Sequence, residues 1–283
     1  MFAGCSLRPP GTGVFLDPAL APLIPSDTTM ILGARVETLA KTPLFARLSG
    51  LEMIGGFARE AGVDAASRLW QVVMVSDGRR TLLLAKGKFT NGIIAPELVR
   101  KGASRFAYHG MNLFGDEQRA VLFVNSTTAV WGDTPVLRDI ADQKLGASGP
   151  PPRLAALMKP IPRETQMWGV YAGAPLHLNL NGNLQNLNKL FGMTTGGSFY
   201  FDASNGLAGN ITGIAPTAQD AQQMRDALTG LIAMGHMMAS KNQPEMARAL
   251  DGIQVQQAGE TVRIQVAEPE DVAEKLADLF LKP

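Results

Sequence analysis

One heptapeptide occurs twice in the chain. Ile24-Pro25-Ser26-Asp27-Thr28-Thr29-Met30 returns 137 residues later as Ile161-Pro162-Arg163-Glu164-Thr165-Gln166-Met167, with four identities and one retained carboxylate. Repetition at a fixed offset constrains a fold more tightly than any local propensity, because the unit that recurs must bury its own apolar face or share it with its copy. Other landmarks recur in the same order. Asp77-Gly78 lies between apolar runs at 69–75 and 81–85, and Asn205-Gly206 lies between runs at 198–203 and 207–214. Both dipeptides supply the positive φ that a two-residue hairpin turn needs. Each half then closes on an amphipathic helix. Asp133-Thr134-Pro135 opens the first, with Val136, Leu137, Ile140 and Ala141 on one face. Glu268-Pro269-Glu270-Asp271 opens the second, with Val272, Leu276 and Leu279 on one face. Proline and carboxylates suit a helix N-terminus.

These landmarks predict an α+β chain of two tandem duplicated modules, each a mostly antiparallel sheet with helices packed on one face. The first module spans 18–145 and the second 154–283. The stretch 146–153, with Gly146, Gly149 and three consecutive prolines, is the linker. Residues 1–17 read as a flexible tether. Strands are expected at 29–36, 69–76, 80–88, 105–114, 119–125 and 127–132, and a helix at 37–49. In the second half the pattern gives a strand at 167–173, a helix at 181–191, a hairpin at 198–214, a long helix at 218–239 and a last hairpin from 253 to 267. A chain of 283 residues with 46% hydrophobic content can fill such cores.

Charge and hydropathy exclude whole classes. Charged residues make up 18% of the chain and the net charge is +1, with both signs interspersed, which leaves no basic footprint for nucleic acid. No run approaches the ~20 apolar residues of a membrane-spanning helix.

The single cysteine, Cys5, excludes an internal disulfide. Phe2-Ala3-Gly4-Cys5 resembles the lipobox of bacterial lipoproteins, in which small residues precede a cysteine that receives a lipid. The resemblance covers these few residues only, with Phe2 where Leu is commoner. It implies lipidation at Cys5, a place on the periplasmic side of the cell envelope, and a start codon upstream that supplies a signal peptide. The alternative is an ordinary free thiol in a cytoplasmic chain.

Chemistry is sparse. His109, His177 and His236 are the only histidines, and none has metal-ligand spacing. Met234, Gly235, His236, Met237 and Met238 offer soft ligands suited to monovalent copper. However, Leu228, Leu231, Ile232, Gly235 and Met238 share a helical face and read as core. Ser198 lacks the G-x-S-x-G turn of a hydrolase nucleophile, and Gly11-Thr12-Gly13 lacks the rest of a dinucleotide fingerprint. Carboxylate pairs such as Asp27 with Glu37, or Asp202 with Asp220, show no convergence. Asp27 and Glu164 read as braces of the turn entering each first strand. The amide-rich stretch 179–188 reads as a solvated helix face, with a polar ligand such as a sugar as the alternative.

No catalytic, cofactor-binding or metal-ligating residue is assigned, and no cofactor is expected. The expected role is a lipid-anchored envelope protein with a non-catalytic binding or scaffolding function. Its partners would be the bilayer through Cys5 and a protein or small polar ligand. A hydrolase-like enzyme with a site at the junction of the modules, or a copper carrier, stand as alternatives.

Overall fold

The computed structural model describes residues 13–90, 98–99, 102–142, 149–173, 192–239 and 244–280. The tether around Cys5, the expected helix at 181–191, the amide-rich stretch 179–188, His177 and part of the linker lie outside them. In the first half, β1 (Met30–Ala34) leads into short helices α1 (Val36–Leu39), α2 (Phe45–Leu48), α3 (Phe57–Ala61) and α4 (Ala65–Arg68). Strands β2 (Leu69–Ser76), β3 (Thr81–Gly87), β4 (Ser104–Tyr108), β5 (Met111–Gly115), β6 (Arg119–Asn125) and β7 (Thr128–Asp133) follow, then α5 (Thr134–Ala141). The second half comprises α6 (Pro152–Met158), β8 (Met167–Ala172), β9 (Gly196–Asp202), β10 (Leu207–Ile214), α7 (Ala218–Ala239), α8 (Pro244–Asp251), β11 (Ile253–Ala258), β12 (Thr261–Glu268) and α9 (Glu270–Phe280). The fold is α+β.

Among the described residues twelve strands form one antiparallel sheet, ordered β11-β12-β10-β9-β8-β1-β2-β3-β7-β6-β5-β4. From the β1–β8 contact the order reads alike in both directions. One side runs β2, β3, β7, β6 and the other β9, β10, β12, β11, after which the first side adds the β5–β4 hairpin. In the central pair Leu32 stands opposite Gly169, with Met30 opposite Tyr171 and Ala34 opposite Met167. Leu32 and Gly169 are 137 residues apart, the spacing of the two heptapeptides. Gly33 is needed there because a Cβ at that position would sit 2.3 Å from the ring of its partner Trp168, which is fully buried.

Side chains alternate between the two faces, and paired residues share a face. The face carrying Ala34, Val72, Leu83, Val121 and Phe123 packs on Val36, Leu39, Ile54, Phe57 and Ala61 from the helical segment between β1 and β2. The opposite face carries Ile31, Val73, Val75, Leu84, Leu122, Trp168 and Val170. It packs on Leu20 and Ile24, on Val136, Leu137 and Ile140 of α5, and on Leu154 and Met158 of α6. In the first half, therefore, helices lie on both faces rather than on one. In the second half α7 covers Val255 and Val262 on the first face. The opposite face there presents Gln254, Gln256, Arg263 and Gln265 to solvent, the usual partition of a half-covered antiparallel sheet.

Three local expectations are corrected. At Asp77-Gly78 and Asn205-Gly206 only the glycine has positive φ, so these hairpins turn through longer loops than the two-residue turn expected. The helix at 37–49 is broken into α1 and α2 at Thr42-Pro43, where the proline ring disfavours helical backbone in the preceding residue. The strand at 105–114 is a hairpin, β4–β5, turning at His109 (φ 47°) and Gly110 (φ 79°). Positive φ at both central residues is the hairpin-turn signature, here carried by His-Gly rather than Asn-Gly or Asp-Gly.

Candidate functional site

The two repeated heptapeptides enter β1 and β8 through turns, and each repeated carboxylate meets an arginine. Arg80 Nη2 donates to Asp27 Oδ2 at 2.8 Å, and Arg35 Nη1 donates to Glu164 Oε2 at 2.9 Å. Arg80 Nε also donates to Asp77 Oδ2 at 2.9 Å, while the Arg79 and Arg80 amides donate to Asp77 Oδ1 at 2.8 and 2.7 Å. Burial alone would raise the Asp77 carboxyl; those amides and the guanidinium outweigh it and bring its pKa down to about 2. A cavity of about 250 Å³ lies among Asp27, Ser76, Asp77, Arg80 and Asp139. Ser76, Asp77 and Arg80 spend their hydrogen bonds on the β2–β3 turn and on Asp27. They brace the turn.

A second cluster sits where the β4–β5 turn meets the end of α5. His109 Nδ1 lies 2.6 Å from Asp142 Oδ1, and the Tyr108 hydroxyl donates to Asp142 Oδ2 at 3.1 Å. The Tyr108 ring stacks on His109 with centroids 4.4 Å apart. A histidine oriented by a buried carboxylate is half of an acid–base device. Among the described residues, no hydrogen bond joins His109 to a Ser, Thr or Cys nucleophile.

The other expected candidates are dispersed. Ser198 is buried in β9 opposite Thr212 and Val170. Asp27 pairs with Arg80, whereas Glu37 lies 3.7 Å from Arg35. Asp202 holds the amide of Ser204, and at the start of α7 the Thr217 hydroxyl accepts from the Asp220 amide and donates to Asp220 Oδ2. Among the described residues no group of three or more His, Cys, Asp and Glu could hold a metal ion. His236 lies near Asp251 on α8 at 3.7 Å, on a different side of α7 from Met234 and Met238. The His236 imidazole therefore does not join the methionine thioethers.

The helix α7 departs from expectation most. Ala221, Met224, Leu228, Gly235 and Ala239 face inward, and Gly235 makes room for Leu250 of α8, whose Cδ1 would stand 2.8 Å from a Cβ. Leu231 and Met238, expected in that core, face out instead. Leu231, Met234 and Met238 are 37%, 51% and 69% exposed. At spacings of three and seven residues they form one stripe along the helix. The apolar arc of α7 is wider than the sheet can cover. Among the described residues this stripe is exposed apolar surface on a well-formed helix. Among the described residues no helix is long and apolar enough to cross a membrane.

Glu268, expected in the start of the last helix, stands instead at the end of β12. It is 4% exposed, and neither carboxyl oxygen has a hydrogen-bond partner. It lies against Gly252, where a Cβ would come within 2.2 Å of Oε1. Burial, then the charge of Asp251, push its pKa to about 7 against the pull of Arg248. Its phase was the available signal, since Val262, Ile264, Val266 and Glu268 share one face of the strand.

No protein-family model and no curated protein matches the chain. Its fold is similar to solved structures of TP0453. Crystal form I has a TM-score of 0.55 at 12% identity, covering 94% of this chain and 98% of that one. Crystal form III gives 0.57 at 12% identity over 93% and 99%, and crystal form IV gives 0.51 at 13% over 94% and 96%. At this identity the likeness extends to the fold alone.

Proposed function

We propose that this chain is a lipid-anchored protein of the bacterial cell envelope whose role is binding or scaffolding rather than catalysis, with the outer stripe of α7 as its contact surface. The observation that carries the reading is the row Leu231, Met234 and Met238, apolar side chains held in water on a well-formed helix. The lipobox-like residues before Cys5 support the anchor. The same reading takes the two halves as copies of one module. The strand order that reads alike from the central pair, and the 137-residue register of that pair, support this.

The anchor is tested by expressing the gene with its native upstream sequence and feeding an alkyne-tagged fatty acid. Label should enter the protein and vanish in Cys5→Ala; equal labelling of both, or of neither, removes the anchor. The surface is tested separately by binding of an environment-sensitive apolar dye to the folded chain. Leu231→Glu with Met238→Glu should reduce dye binding several-fold while the far-ultraviolet spectrum stays unchanged.

A further inference from the structure

The sheet ends at β11, and that end is unguarded. Among the described residues β11 pairs only with β12, in an unbroken register from Ile253–Val266 to Ala258–Thr261. Its sequence, Ile253-Gln254-Val255-Gln256-Gln257-Ala258, holds no charge, no proline and no bulge. Those are the devices by which natural edge strands avoid pairing with another chain. The opposite edge, β4, is shorter and carries Arg105, whose guanidinium binds Asn112 on β5 at 3.0 Å.

We propose that β11 is a self-pairing edge, to which a second copy of this chain adds its own β11 antiparallel about a two-fold axis while the α7 stripes of the two copies close over the joint. Three observations favour a second copy as the occupant. First, pairing a strand with itself brings like side chains near one another, and β11 offers only Gln, Ala, Val and Ile, so nothing repels; glutamine side chains opposite one another can hydrogen-bond. Second, the six-residue edge is too small alone, because a specific interface buries roughly 1,200 Å² or more. Helix α7 supplies further apolar surface at the same margin, since it packs over β11 on the face of Ile253 and Val255. Third, the chain already contains such a joint: β1 and β8 pair antiparallel about Leu32 and Gly169.

The inference rests on the reading of α7 as a contact surface, and the test separates the two. Sedimentation of a Cys5→Ser chain should give a dimer at about 100 µM that dissociates on dilution through the micromolar range. Gln254→Lys with Gln256→Lys places like charges on exposed positions of the edge. It should weaken the dimer at least tenfold and spare the fold, and added salt should restore part of the loss. Leu231→Glu with Met238→Glu should weaken it comparably. A monomer at about 100 µM, or a dimer indifferent to the lysine pair, overturns self-pairing. If dye binding is still lost in the glutamate pair, the surface stands and only its partner is wrong. An extended peptide that binds wild-type monomer and fails on the lysine pair assigns the edge to another chain and likewise overturns the proposal.

Discussion

Burial, and then the charge of Asp251, favour the protonated form of Glu268. Its pKa rises from 4.5 to about 7, so across that window the folded chain retains a proton that the unfolded chain has released. The contribution of this group to stability is fully present below about pH 4.5, falls as pH rises, and is lost above about 7. Glu268→Gln keeps the shape without the charge. It should flatten this limb and stabilise the chain at pH 8 by roughly 2 kcal/mol, measured by urea denaturation at pH 5 and 8. Equal pH profiles for the two proteins would show that the carboxyl is not held neutral. Asp77 acts in the opposite sense. Its pKa lies at about 2 rather than 3.8, so its contribution is present above about pH 4 and lost as pH falls through about 2. Asp77→Asn should therefore weaken the fold at neutral pH and converge with wild type in strong acid. Gly33→Ala forces a methyl into the Trp168 ring and should cost about 1–3 kcal/mol, read from the shift in thermal midpoint.

At the scale of elements, legibility followed how local the determining physics is. The strand at 119–125 and the helix at 218–239 were drawn at their observed bounds, because alternation and helical phase are short-range signals. The hairpin at His109-Gly110 was missed because His is an uncommon residue at positive φ, and Gly110 alone read as part of an alternation. The inward side of α7 could not be read. Leu228, Leu231, Ile232, Met234, Gly235 and Met238 span nearly half its circumference, and only the sheet and Leu250 decide which part of that arc is covered. Asp27 and Glu164 were legible as braces, but their arginines, Arg80 and Arg35, came from other elements and were not. Glu268 reads together with Pro269-Glu270-Asp271 as a helix start, because nothing local shows that it closes β12 and is buried.

For the whole molecule, the sequence predicts two separate sheets, whereas the strands of both halves join in a single continuous one. The reason is that a linker with three prolines suggests separation, whereas the seam is made by strands outside it. Ile31 and Val73 share one core with Leu154, Met158, Trp168 and Val170, so residues from both sides of the linker are buried together. Unfolding should accordingly be one cooperative transition, with tryptophan fluorescence and far-ultraviolet circular dichroism coinciding in urea. Two separated transitions would mean that the halves hold together independently of that core. The surface at the far end of the sheet is where this account places function, and methionine oxidation reads it directly. Under dilute peroxide, with peptide mapping, Met234 and Met238 should oxidise quickly in dilute protein while Met224 beneath the same helix resists. Protection of Met234 and Met238 equal to that of Met224 in dilute protein would contradict an outward apolar stripe, and with it the binding role.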